Sequence, residues 1–257
     1  MASAPLIDVR GASKHFGGLA AVDRVSFEIP AGEVAGLIGP NGAGKSTMFS
    51  MLAGELKPSD GEILFAGDRI DTLPAHEIFG RGLVRSFQIP RPFRRLTVLE
   101  NMLLARPRQS GDRLANALFR PGTVRKEETA ADDTARAILE ELGLIDHRNR
   151  MAGGLSGGQH KLLELARALM SDPKAILLDE PCAGVAPAMI ERLSEAVERL
   201  RTRGITVVLV EHNVDFVMRH CDHIVVMAQG RVMIDGTPDV VRNDERVLDA
   251  FLGAAHA

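Results

Sequence analysis

The chain has 257 residues, 45% of them hydrophobic and 25% charged, the proportions of a globular protein with a full core. A net charge of −3 and the absence of Trp and Tyr argue against nucleic-acid binding, which relies on basic surfaces and aromatic stacking. No apolar run approaches the ~20 residues that cross a bilayer, the first residues lack a basic secretory leader, and two cysteines are too few for a disulfide framework. We therefore expect a cytoplasmic protein that reaches a membrane only through partners.

The N-terminal part of the chain predicts several strands and one loop that precedes a helix. Leu6–Val9 and the alternating Val25–Ile29 are typical of half-buried strands, and Gly61–Gly67 predicts another strand between glycine turns. The mostly apolar run Glu33–Ile38 predicts a buried strand, and a helix is predicted to begin at Thr47. A strand, a Gly-rich loop and a helix therefore follow one another.

The rest of the chain predicts helices that alternate with buried strands. Arg106 to Glu128 is polar and contains Pro and Gly, and we interpret it as an irregular excursion. Apolar residues then recur at helical spacing in three segments, Ala131–Leu142, Leu162–Leu169 and Ile190–Leu200. The runs Ala175–Leu178 and Ile205–Val210 predict central strands of a parallel sheet, whose carboxyl ends are where open α/β sheets bind ligands.

The loop between the first buried strand and its helix has the form GxxxxGKS of a phosphate-binding loop. Glycines let backbone N–H groups turn towards a β-phosphate, Lys45 can reach the β/γ oxygens, and the Ser46 hydroxyl can ligate Mg²⁺. A Gly-rich turn that happens to precede a Lys is the plainer interpretation. The residues predicted to bind nucleotide here are Gly39, Pro40, Asn41, Gly42, Ala43, Gly44, Lys45, Ser46 and Thr47.

Two carboxylates follow the predicted strand Ala175–Leu178. Asp179 can hold Mg²⁺ directly or through water, and Glu180 is placed to orient or deprotonate an attacking water. Many strands end in solvated acids, so the pair points to chemistry only because the phosphate loop accompanies it.

A second candidate anion site is the segment Leu155–Gln159. Ser156, Gly157 and Gly158 at a predicted helix N-terminus can form a nest of backbone N–H groups, and Gln159 follows them. Ser156 would cap this helix whatever it bound. A simple cap does not explain the two glycines, which lower helix stability unless another contact compensates.

With these motifs the chain resembles the nucleotide-binding subunits of ABC transporters over nearly its whole length. The motifs occur in the family's order: Walker A at Gly39–Thr47, the Q-loop Gln88, the signature Leu155–Gln159, Walker B at Ala175–Glu180 and the switch residue His212. The resemblance implies an α/β fold, with a P-loop NTPase (RecA-like) core, an antiparallel β subdomain and an inserted α-helical subdomain. It divides a single domain of residues 1–257 into a core, 1–88 and 155–257, and a helical subdomain, 89–154.

The resemblance also implies roles for single residues. Gln88 would sense Mg²⁺ and the γ-phosphate, His212 would contact the γ-phosphate, and Phe16 would stack on adenine. Each also fits a plainer role: Gln88 as an ordinary loop glutamine, His212 as a surface or core histidine with its hydrogen bonds satisfied, and Phe16 as a core phenylalanine. ATP and Mg²⁺ are the implied cofactors, with Ser46, Gln88 and Asp179 around the metal and Glu180 as the catalytic carboxylate.

The implied partners are other polypeptides. A second ABC ATPase, identical or not, would close head to tail on this chain so that each signature completes the other's ATP site. Two transmembrane permease subunits and, indirectly, a periplasmic or extracellular solute-binding protein would complete an importer, with this chain on the inner face of the cell membrane. No nucleic acid is expected.

The segments Phe16–Asp23, Leu96–Asn101 and Gly236–Pro238 and the C-terminal Val247–Gly253 are similar to the branch that serves branched-chain amino-acid importers. Relatives of this branch import urea or short amides or export lipopolysaccharide. Three rival classes without an active transport role are a soluble ABC ATPase, a small-molecule P-loop kinase and an inactive regulatory subunit. One position departs from the family, because Ala186 stands where an acidic or amide residue is usual in the loop that crosses the dimer interface.

Overall fold

The computed structural model of the protein describes residues 4–86, 92–107 and 121–247. They form two compact units. The first comprises the described parts of 1–85, 174–183 and 197–257, and the second those of 86–173 and 184–196.

The first unit contains an antiparallel sheet of four strands. These are β1 (Pro5–Phe16), β2 (Leu19–Pro30), β4 (Asp60–Phe65) and β5 (Asp68–Arg69), in the order β2-β1-β4-β5. Val25, Phe27 and Ile29 are buried in β2 and the residues between them are exposed, as the alternating sequence predicts for a sheet with one covered face.

The same unit contains a six-stranded, mostly parallel sheet. Its strands are β3 (Val34–Ile38), β6 (Leu83–Arg85), β7 (Ala175–Asp179), β8 (Thr206–Val210), β9 (His223–Ala228) and β10 (Arg231–Gly236), in the order β10-β9-β3-β8-β7-β6. All residues of β3 and β8 are buried, which explains why Thr206 is the only polar residue in these two strands. Strands β7 and β8 both lie inside this sheet, as predicted, and they are parallel neighbours in which Asp179 pairs with Val210.

Helices and one close backbone approach complete the packing around this sheet. The helices are α1 (Lys45–Leu52), α2 (Ala75–Gly80), α7 (Val214–His220), α8 (Pro238–Arg242) and the C-terminal part of α6 (Pro187–Thr202). Gly36 lets α7 pack against β3, because a Cβ atom there would lie 2.7 Å from the Val217 side chain. Because β3, β8 and β7 are parallel neighbours, their carboxyl ends lie side by side.

The second unit is helical in its described part. It contains α3 (Val98–Ala105), α4 (Pro121–Glu141), short 3₁₀ turns at Ile145–His147 and Ala152–Gly154, α5 (Gly157–Leu169) and the start of α6. A capping box fixes the start of α3, since Thr97 and Glu100 each bond the other's backbone N–H. The unit includes more of the chain than the predicted helical subdomain 89–154, whose bounds stay a prediction.

One element differs from the sequence-based expectation. Helix α4 begins at Pro121, so the interpretation of 121–128 as irregular chain is wrong. Proline is tolerated in the first turn of a helix, where its missing N–H has no intrahelical acceptor. Residues 108–120 of the same excursion lie outside the described part of the chain. Within the ranges that the structure describes, no helix is long and apolar enough to span a membrane.

Candidate nucleotide-binding and hydrolysis site

The phosphate loop joins β3 to α1 at the carboxyl edge of the parallel sheet. Gly39 and Gly44 have φ angles of 148° and 96°, in the region that favours glycine. Added Cβ atoms would lie 2.0 Å from the Met227 carbonyl oxygen and 2.4 Å from that of Ala21, respectively. Backbone conformation and space both require glycine at these two positions, so the loop keeps the shape on which phosphate binding depends.

The N-terminus of α1 fits an anion. No side chain caps the helix at Gly44 and no acidic residue lies in its first turn, while the first N–H groups of any helix lack intrahelical acceptors. Backbone donors and the positive end of the helix dipole therefore meet at the loop.

Lys45 is buried within this loop. It is only 5% exposed, and its Nζ donates hydrogen bonds to the carbonyl oxygens of Gly39 at 2.8 Å and Pro40 at 3.0 Å. Burial lowers the pKa of its ammonium group, and the charge of Glu180 opposes that shift. An incoming phosphate would offer stronger, charged acceptors than these carbonyls.

Asp179 ends β7 and forms an ion pair that the sequence motifs did not single out. Its Oδ2 accepts a hydrogen bond of 2.6 Å from Nη2 of Arg85, at the end of the neighbouring β6. Arg85 also donates to Oγ of Ser50 in α1, at 3.1 Å. Asp179 and the exposed Ser46 offer carboxylate and hydroxyl oxygens, which are ligand types that Mg²⁺ prefers, so the residues present fit this metal.

Glu180 and His212 lie together at the ends of β7 and β8. His212 Nε2 and Glu180 Oε1 are 3.2 Å apart. Glu180 has φ 47°, a left-handed conformation that is costly outside glycine, and its N–H donates to the Val210 carbonyl at 2.9 Å. The structure thus brings together two residues that the sequence separates by a helix and a strand.

Phe16 is at the end of β1 with 49% of its surface exposed, so the interpretation of this residue as a core phenylalanine is wrong. The Lys14 ammonium lies 5.6 Å from the centre of the ring. An exposed ring of this kind can stack on a base. Gln88 lies outside the described residues.

The signature segment lies in the second unit, at the start of α5. Ser156 Oγ accepts from the Gln159 N–H at 3.3 Å, and the Gln159 side-chain oxygen accepts from the Ser156 N–H at 2.9 Å. A Cβ atom on Gly158 would lie 2.2 Å from Cγ of Met189 in α6, whereas Gly157 has open space around it. The packing of Met189 therefore requires glycine at position 158, whatever this segment binds.

A second residue missed from the sequence is Glu211, a buried carboxylate directly before His212. A charged residue straight after a mostly apolar strand was the available signal for it. The corresponding signal for Arg85 was a cation directly after the apolar pair Leu83 and Val84, three residues before the metal-ligand candidate Gln88. Both are easily mistaken for ordinary solvated charges at strand ends.

A phosphate loop beside carboxylates at neighbouring parallel strand ends defines a P-loop nucleotide hydrolase. The chain belongs to the ABC transporter family: residues 22–183 match the family described as ABC transporter, and residues 232–257 match the one described as branched-chain amino acid ATP-binding cassette transporter. It is accordingly a nucleotide-binding, ATP-hydrolysing cassette.

Individual relatives agree with this assignment. The chain is 41% identical to the high-affinity branched-chain amino acid transport ATP-binding proteins BraF of Pseudomonas aeruginosa and LivG of Escherichia coli K12, in each case over 98% of this chain and 100% of the relative. Among solved structures it is similar to an ATP-binding cassette of an ABC transporter in its ADP conformation, with a TM-score of 0.84 and 38% identity over 98% of this chain and 100% of that one. A nucleotide-free cassette gives a TM-score of 0.82 and 37% identity over 96% and 98% of the two chains. The predicted family and fold class are confirmed.

Proposed function

We propose that this chain hydrolyses ATP to power an importer of branched-chain or related amino acids. The C-terminal match at residues 232–257 is the observation that supports this substrate class, because the matched family is described by branched-chain amino acids. Relatives named for branched-chain amino-acid transport support the same class.

In the proposed site, the loop N–H groups and Lys45 bind the β- and γ-phosphates. The buried position of Lys45 supports this role, since residues 39–47 contain no carboxylate to balance its charge and phosphate would supply an anion. Phe16 stacks on the adenine, which its exposed ring allows. These contacts orient the γ-phosphate for attack.

Ser46, Gln88 and Asp179 are the proposed Mg²⁺ ligands, directly or through water. The bound ion would neutralise charge that develops on the phosphoryl group. Glu180 orients a water molecule and accepts its proton as the water oxygen bonds to the γ-phosphorus. The bond from that phosphorus to the bridging oxygen of ADP breaks, so that the products are ADP and phosphate. His212, 3.2 Å from Glu180, is close enough to hold that carboxylate in place and to contact the γ-phosphate.

Ser156, Gly157, Gly158 and Gln159 act in a second cassette's ATP site, and that cassette's signature acts here. The N-capped start of α5 supports this, because it presents backbone donors beside the exposed Ser156 and Gly157. The proposed partners are a second ABC ATPase, identical or different, two transmembrane permease subunits and, through them, a solute-binding protein. The cassette would then work at the inner face of the cell membrane.

Purification of the assembled transporter from its native membrane tests the substrate. After reconstitution in vesicles, leucine, isoleucine or valine with the solute-binding protein should stimulate ATP hydrolysis, and a Lys45→Ala complex should show no stimulation. Stimulation by urea or short amides alone, or a native partner set without permeases, would contradict the proposal and favour one of the related systems.

A further inference from the structure

Glu211 is a buried carboxylate that the proposed chemistry does not use. It follows the last residue of β8 and is 4% exposed. Its Oε1 accepts a hydrogen bond of 2.6 Å from the Cys182 N–H. Its Oε2 accepts from the N–H groups of His212, at 3.1 Å, and Asn213, at 3.3 Å.

These bonds join two loops at the carboxyl edge of the sheet. Cys182 belongs to the loop after β7, and a bond of 3.1 Å from the Ala183 N–H to the Glu180 carbonyl closes a turn around it. His212 and Asn213 begin the loop after β8. One carboxylate therefore fastens the backbone that carries Glu180 to the backbone that carries His212.

The chemistry of these contacts requires a carboxylate. All three partners are donors, so both oxygens must accept, and ionised oxygens make shorter and stronger bonds than neutral ones. A glutamine of the same shape would turn an NH₂ group towards one set of N–H donors. Burial of a charge is unfavourable unless such bonds compensate for lost hydration, and here they come from the two loops at once.

We infer that Glu211 is a positioning residue that sets the geometry of Glu180 and His212 for ATP hydrolysis. The inference rests on the proposed roles of those two residues. Glu211 itself does not act as the base, because its buried oxygens already accept backbone hydrogen bonds. It acts through the 3.2 Å contact between Glu180 and His212, which spans the two fastened loops.

A control residue with similar chemistry lies at the opposite edge of the same sheet. Asp222 precedes β9, and its Oδ2 accepts from the Val34 N–H at 3.0 Å, at the start of β3. It thus also fastens backbone of the parallel sheet, but away from the phosphate loop. The other oxygen, Oδ1, accepts a hydrogen bond of 2.9 Å from Nη1 of Arg201. Asp222→Asn therefore reports the cost of replacing such a carboxylate by an amide, away from the site.

The test compares Glu211→Gln with Asp222→Asn in the full-length chain, by steady-state ATP hydrolysis, binding of a fluorescent ATP analogue and thermal unfolding. We expect Glu211→Gln to lower kcat roughly 10- to 100-fold, the range for misplaced catalytic groups, with nucleotide affinity within about threefold of wild type. Asp222→Asn should keep kcat within about twofold of wild type, even if its Tm falls as much as that of Glu211→Gln. An equal loss of kcat in both variants would overturn the inference, because stability alone would then explain it.

A double-mutant cycle separates positioning from general destabilisation. Glu211 acts through the contact between Glu180 and His212, which His212→Ala removes. Glu211→Gln added to His212→Ala should therefore lower kcat no further than His212→Ala alone, whereas independent effects multiply. If Glu211→Gln does not fold, Glu211→Asp replaces it, since this change keeps both acceptors but withdraws them by roughly 1.5 Å, one C–C bond. Its kcat should fall while nucleotide affinity is kept.

Glu180→Gln distinguishes failure of the inference from failure of the proposed function. If Glu180→Gln is inactive and the folded Glu211 variant turns over like wild type, the inference is overturned and the proposed site stands. If Glu180→Gln turns over like wild type, the role of Glu180 is wrong and the inference falls with it.

Discussion

Replacement of Arg85 by Gln should destabilise the protein, and Mg²⁺ with ATP should recover much of the loss. The Arg85 and Asp179 side chains are only 17% and 10% exposed, and their charged atoms are 2.6 Å apart. Breaking a buried pair from one side costs about 3–5 kcal/mol, and we expect about 3 kcal/mol here because both groups keep some contact with water. In a chain of this size each kcal/mol shifts Tm by roughly 2–4 °C, so Tm should fall by roughly 6–12 °C.

The assay is thermal unfolding with ATP, in Mg²⁺ or in EDTA. A cation bound at Asp179 restores the missing charge, so Mg²⁺ should raise the Tm of Arg85→Gln more than that of wild type. Arg81→Gln is the matched control, because its pair with Glu77 is 38% and 48% exposed at 3.8 Å and such pairs contribute about 0–1 kcal/mol. Equal Tm values for the two variants, or equal Mg²⁺ effects in Arg85→Gln and wild type, would refute the reasoning.

Three further predictions follow from the site. Glu180→Gln should keep nucleotide affinity and lower kcat roughly 10²–10⁴-fold, measured by phosphate release, because it removes the proton acceptor alone; turnover within tenfold of wild type would assign the base elsewhere. Gly158→Ala should lower stability by about 1–3 kcal/mol in thermal unfolding through its clash with Met189, and Met189→Ala should relieve it; no relief would place the strain elsewhere. If the chain pairs with itself, Lys45→Ala and Ser156→Arg should each be inactive as homodimers and should regain ATP hydrolysis when the two variants are mixed. If it pairs with a different cassette, adding that cassette to Ser156→Arg should restore ATP binding at Lys45. No restored binding there would refute a shared site.

Local sequence patterns predict the frame of this site. The apolar runs before Gly39 and Asp179 and before His212 indicate buried parallel strands, and the parallel order β3-β8-β7 places their ends together. Such runs are informative because a strand that is covered on both faces tolerates few polar residues. The phosphate loop is predictable for a related reason, since its conformation requires glycine at positions 39 and 44.

Other features depend on contacts between distant residues. Arg85 and Glu211 are single charges at strand ends, and nothing local distinguishes a buried partner from a solvated one. The packing reason for Gly158 lies on another helix, at Met189. Pro121 starts α4, although a proline is also typical of positions where helices end. Only the sequence of the following turns distinguishes a proline that begins a helix from one that ends it.

The position of β3 within its sheet has a consequence for biosynthesis. Both neighbours of this strand, β8 and β9, come from the last quarter of the chain, and Val34 pairs with Val207, roughly 170 residues later. At ~5–20 residues per second, a ribosome needs roughly 10–35 s to deliver those partners. The strand that leads into the phosphate loop therefore leaves the ribosome long before either of its edges can pair. During that interval the nascent chain carries an unpaired, apolar strand, the kind of segment that chaperones protect from aggregation.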